Sequence, residues 1–245
     1  MIPIVSILSL VSGLLSFFIC FRLWRRSVAL RNLIMRQFAY CYFFFGLFFL
    51  FFVAPGTIHT NGTLIAVDAA LAYLSLFVTI AYFIQIPLEL FKQFFWAKFI
   101  FWLTVLTGSI LFIGNIIYLE APLVISRGPF VYYLIQGNPL IQLLNELIPV
   151  VFDVIGIIFF ISQGYYLAQQ AKSSQDNSAE TRSVIYRSYN IAAGWSILLV
   201  AGALNIYGSA PAPKPIAIFL ATAVSVVGLL VVYRGIYRMG SSYSY

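Results

Sequence analysis

Charge is what this chain has least of. Only 9% of its 245 residues are charged and 62% are hydrophobic, with 7 Asp and Glu in all. A soluble domain of this length needs far more polar surface, so that class is excluded. Histidine occurs once and cysteine twice. One histidine without neighbouring cysteines leaves too few donors for a transition-metal site. Cys20 and Cys41 fall near the predicted inner membrane surface, where a reducing cytosol disfavours a structural disulfide, and both read as helix-packing residues. No Ser-His-Asp set, His-rich cluster or phosphate-binding glycine loop occurs. The sequence therefore assigns no catalytic residue and requires no cofactor.

Long apolar runs take the place of charge. Seven stretches of spanning length lie at about 3–21, 37–54, 64–90, 99–119, 142–168, 188–207 and 215–234. A span of roughly 20 residues crosses the hydrocarbon core as a helix. Lipid offers the backbone no partners, and an α-helix satisfies its own. A transmembrane barrel would instead show short segments of alternating polarity, which are missing. The prediction is an all-α, multi-pass bundle of seven transmembrane helices forming one domain over residues 1–245.

The loops predict the orientation. Arg22, Arg25, Arg26, Arg31 and Arg36 join the first two spans, and Lys92 and Lys98 the third and fourth. Lys172, Arg182 and Arg187 join the fifth and sixth, and Arg234 and Arg238 follow the seventh. Only Arg127 and Lys214 fall on the other side. The positive-inside rule then puts the N-terminus outside and the C-terminus in the cytoplasm, in a plasma or bacterial inner membrane. The net charge of +7 follows from this bias and does not indicate a nucleic-acid partner. No positive n-region precedes the first apolar run and no small-residue cleavage site follows it, so it reads as a retained helix.

Two connections stand out. Lys172–Arg187 is polar and suits a linker or a helix extension into water. Glu120–Ile141 is apolar, broken by prolines and glycines, and carries Phe130, Tyr132 and Tyr133. It is expected to lie at the headgroup level or fold over the helix ends as a lid. Asn61-Gly62-Thr63 matches a glycosylation acceptor on the predicted outer side. The Phe-rich second span reads as lipid-facing bulk, and the small residues Ala201, Gly202 and Ala203 of the sixth as helix-packing surface.

Ionisable residues inside a bilayer cost free energy and so mark candidate sites. Asp153 lies about 16 Å into the fifth span at 1.5 Å per residue, close to the midplane. Glu146 stands two turns earlier on nearly the same face, with Asn145 beside it and Pro149 between. These groups suit a cation, a proton or a hydrogen-bond donor; alternatively, they bond to neighbouring helices and fix packing. Asp68, Asn115 and Asn205 gather near the outer ends of their spans. With Glu146 they would line a pocket that narrows toward Asp153. Acids outnumber bases there, which favours a cationic or donating ligand.

The seven-span plan is similar to that of microbial rhodopsins, but no lysine within the seventh span is placed to hold retinal. The Pro-Gln signature of small PQ-loop sugar transporters does not occur. A G-protein-coupled receptor would carry an acidic-Arg-aromatic triplet after the third span, where this chain has Glu89-Leu90-Phe91-Lys92. The leading expectation is a receptor-like or ligand-binding membrane protein with an outward-opening polar pocket. It would take a small molecule or cation and act through a cytoplasmic or membrane protein partner. A small transporter using Asp153, or an accessory subunit of a larger complex, are the alternatives.

Overall fold

Seven helices form the molecule, a computed structural model that describes residues 2–173, 178–209 and 213–237. They are α1 (Ile4–Leu30), α2 (Leu33–Thr57), α3 (Gly62–Leu90), α4 (Phe94–Ile117), α5 (Pro139–Ser173), α6 (Ala179–Ser209) and α7 (Pro215–Tyr237). All seven are long and apolar enough to cross a membrane. The part of the Lys172–Arg187 connection at 174–177, and Arg238 with the C-terminal tail, lie outside the described residues.

The helices overrun the apolar windows that predict them. α1 continues to Leu30 rather than stopping near residue 21. The guanidinium groups of Arg22 and Arg25 reach over the rings of Phe18 and Phe21, at 5.2 and 5.6 Å. Long cationic side chains lie along apolar surface in this way while their charge stays near water. Hydropathy locates the edge of the lipid, whereas backbone bonding continues until a residue breaks it. Arg31, in the left-handed region at φ 49, ends α1. The Asn32 side chain then accepts from the Met35 N–H at 2.9 Å and starts α2. Asn61 does the same for α3, accepting from the Leu64 N–H at 3.2 Å. The first residue of the glycosylation pattern thus serves as a helix cap.

Packing runs from neighbour to neighbour around a ring. α1 packs on α2, α2 on α3, α3 on α5, α5 on α6 and α6 on α7, and α7 closes back on α1. Of the apolar window in α3, 56% is buried, against 17% in α4. α3 is therefore the most enclosed helix of the ring, because α4 packs against its outer side.

The apolar 120–141 segment contributes β-structure. β2 (Leu123–Arg127) and β3 (Phe130–Leu134) pair antiparallel, with Arg127 opposite Phe130. The turn between them is Gly128-Pro129, with Gly128 at φ 57. β1 (Ile2–Pro3) adds parallel to the other edge of β3. Runs of β-branched and aromatic residues on either side of a Gly-Pro turn favour such a hairpin. Tyr132, 2% exposed, packs with Ile4 of α1 and Ile218 of α7. The Arg127 guanidinium donates to the Pro213 carbonyl at 3.1 Å. Beneath the sheet Gly56 turns the end of α2 at φ +74, and a Cβ there would stand 2.8 Å from Pro3 and 2.9 Å from Tyr133. The sheet therefore caps one end of the bundle, and most of the arginines and lysines lie at the other, basic end.

Candidate functional site

Inside the ring, in the half nearer the sheet, lies a cavity of about 310 Å³. Its walls come from α1, α2, α3, α5, α6 and α7. α5 contributes Asn145, Glu146, Pro149, Val150 and Asp153; α6 contributes Trp195, Ala201, Gly202, Ala203 and Asn205. Four of the six residues singled out by depth and polarity, Asp153, Glu146, Asn145 and Asn205, thus face one space.

The other two are placed elsewhere. Asp68 takes His59 as its partner, with Oδ2 and Nε2 2.8 Å apart across the α2–α3 turn. That pair also accounts for the one histidine of the chain. Asn115 lines a smaller neighbouring cleft and is joined to the cavity wall by its bond with Asn145. Its own Nδ2 donates to the Leu111 carbonyl at 2.9 Å, so its Oδ1 is free to accept, and it accepts from Asn145 Nδ2 at 3.1 Å. This relay fixes the Asn145 amide, with its Oδ1 as the remaining acceptor.

Three buried polar atoms on the cavity wall have no partner among the described residues: Asp153 Oδ1, Asn145 Oδ1 and Trp195 Nε1. Buried polar groups are nearly always hydrogen-bonded, and orphans in a low-dielectric interior are costly. Two of the three are acceptors, and the Glu146 carboxylate adds further acceptor oxygens. No lysine, arginine or histidine lines the cavity among the described residues. The space therefore suits a guest that brings a positive charge or several donors.

The remaining wall is largely aromatic. Phe45, Phe48, Phe49 and Phe52 of α2 line it, so the Phe-rich run is only in part lipid-facing bulk. Likewise Gly202 and Ala203 are exposed on the cavity wall, and nothing lies within 4 Å of a Cβ built on Gly202, whereas Ala201 is buried. Toward the basic end the cavity meets a ring stack. Trp195 lies 3.9 Å from Phe83 between centroids; Phe83 is 5.3 Å from Phe160, and Phe160 is 6.3 Å from Phe38. All four are buried. Pairs of this geometry add to simple area burial and make the floor stiff.

Trp195, Tyr73 and the serines of α1 line the cavity without having been singled out from sequence. Ser6, Ser9, Ser12 and Ser16 recur at helical spacing, and Ser9 and Ser12 face the space. That polar stripe in an otherwise apolar first span is the signal that marks α1 as a wall.

No protein-family model matches this chain, and no curated protein does.

Proposed function

We propose that this is a receptor-like membrane protein that binds a small organic molecule carrying a cationic or hydrogen-bond-donating group. Asp153 is its principal anchor. One observation carries the reading: a cavity with room for a guest, whose orphaned acceptors are matched by no base on its walls. Asn145, held by Asn115, and Glu146 assist in binding. Trp195 contacts the guest from the floor and is stacked on the Phe83–Phe160–Phe38 rings that lead toward the basic end. With the sheet outside, as the positive-inside rule expects, a guest would bind in the outer half. Its effect would reach a partner at the cytoplasmic loops.

Transport is the second reading, and one feature favours it. Beyond the ring stack, Glu89 is held by Gln37 Nε2 at 2.8 Å and Gln85 Nε2 at 2.6 Å. No salt bridge to Glu89 is present among the described residues. A carboxylate on each side of an aromatic barrier would give a cation a polar station in either half of the bundle.

A panel of organic amines, titrated into the protein in lipid nanodiscs and followed by native mass spectrometry, tests the binding reading. One-to-one, saturable binding is expected, weakened about 100-fold in Asp153→Asn, within the range seen when one partner of a buried charge pair is lost. Equal affinity in the two proteins would remove Asp153 from the site. Amine accumulation in sealed vesicles, dependent on Asp153, would move the assignment to transport.

A further inference from the structure

We propose that the ligand is a membrane-dissolved single-chain amphiphile with a cationic head, and that it reaches the cavity sideways through a gap between α5 and α6. This inference rests on the binding reading above and adds the ligand class and its route.

At the end of the cavity nearer the sheet, the described residues of the hairpin lie across the helix ends. Tyr132 is wedged against Ile4 and Ile218, and Arg127 ties the hairpin to Pro213. Among the described residues the sheet itself contributes none of the cavity lining. The opposite end is the aromatic floor. Laterally, α6 is locked to α7 along its length. A Cβ on Gly208 would stand 2.8 Å from Ile218, one on Gly194 2.4 Å from Val232, and one on Gly235 3.0 Å from Ile191. α1 and α2 are similarly close at Gly13 and Gly46.

The α5–α6 seam differs. Its tight contacts, Gly164 against Tyr189 and Ser188 on Gln163, are in the half nearer the basic end. In the other half, both walls of the seam carry lining residues that are exposed: Glu146 and Val150 on α5, Gly202 and Asn205 on α6. Glu146 stands seven residues inside the first residue of α5, and Gly202 seven before the last of α6. Each is thus about 10 Å from the sheet-bearing end of its helix, facing the same leaflet. Gly202 has no neighbour to fill the gap.

The lining fits what that leaflet holds. A volume of about 310 Å³ accommodates roughly ten water-sized groups at about 30 Å³ each. Acceptors cluster on α5, and the phenylalanine wall of α2 offers an apolar run for a chain. An alkyl amine places its ammonium at Asp153 and its tail along those rings or out through the seam into lipid.

The test uses decylamine, with propylamine and decanoate as controls, on the protein in nanodiscs. Affinity is read by native mass spectrometry and rates by tryptophan fluorescence, Trp195 being the buried tryptophan. Decylamine is expected to bind at least about tenfold tighter than either control, the loss of chain burial or charge pairing each accounting for that much. A residue in the route changes association and dissociation together, whereas one in the site changes the dissociation constant. Gly202 also lines the cavity, so Gly202→Leu weakens binding as well as narrowing the gap. It is expected to slow association by about tenfold and to slow dissociation with it, whereas lost site contacts alone would speed dissociation. Propylamine binding as tightly as decylamine would overturn the amphiphile class. Unchanged rates in Gly202→Leu, or faster rates in Tyr132→Ala, would overturn the lateral route and leave the site standing. Decylamine binding unaffected by Asp153→Asn would instead take down the binding reading itself.

Discussion

Asp153→Leu is expected to raise the stability of the ligand-free protein. A carboxylate in the membrane interior whose Oδ1 has no protein partner burdens the folded state, because the cavity walls supply it neither a countercharge nor a donor. Replacing buried ionic groups by apolar ones of similar volume is often stabilising, here by about 2 kcal/mol. For a chain of this size that is a rise of about 4–8 °C in the unfolding midpoint. Asp153→Asn, which keeps the shape, is expected to gain less. A residue present to fix packing would behave in the opposite way, since its removal would strand a partner. Thermal unfolding in nanodiscs, after exhaustive washing to remove bound molecules, checks the sign. A midpoint lowered in both variants would mean that Asp153 holds helices together.

Gly194→Ala and Gly202→Ala, two turns apart on α6, are expected to differ sharply. At Gly194 a Cβ would stand 2.4 Å from Val232 Cγ2 and 2.7 Å from the Val232 backbone nitrogen. The side chain can rotate, but the backbone of α7 cannot yield without parting the two helices. Overpacking of this kind costs about 3 kcal/mol, enough to lower the unfolding midpoint by several degrees. At Gly202 the same methyl meets nothing within 4 Å, and exchanging glycine for alanine inside a helix gains about 0.5–1 kcal/mol. The pair separates the two roles of small residues in α6, packing against α7 in one turn and making room in another. Equal losses at both positions would contradict that division.

The sequence reveals helix number and depth well and facing poorly. Hydropathy and loop charge report how far a residue lies along the membrane normal, and depth alone draws attention to Asp153, Glu146, Asn145 and Asn205. Depth leaves the rotation of each helix open. Asp68 is at a suitable level yet turns toward His59, a pairing nine residues apart that only the α2–α3 turn brings about. Asn115 is one contact away from the cavity because α4 lies outside the ring. The phenylalanines of α2 are too many for periodicity to separate lipid-facing from cavity-facing rings, whereas the serine stripe in α1 carries a readable period. The hairpin is foreshadowed by the LVISR and FVYYL runs about a Gly-Pro turn, but headgroup anchoring accounts for the same aromatics equally well.

A cavity organised around Asp153 for a cationic guest should leave a mark on the protein as it comes from its own membrane. Native mass spectrometry of the gently extracted chain, wild type beside Asp153→Asn, reads that mark directly. The wild type is expected to carry one small molecule that the variant lacks. A bare chain in both proteins, or the same molecule retained in both, would contradict it.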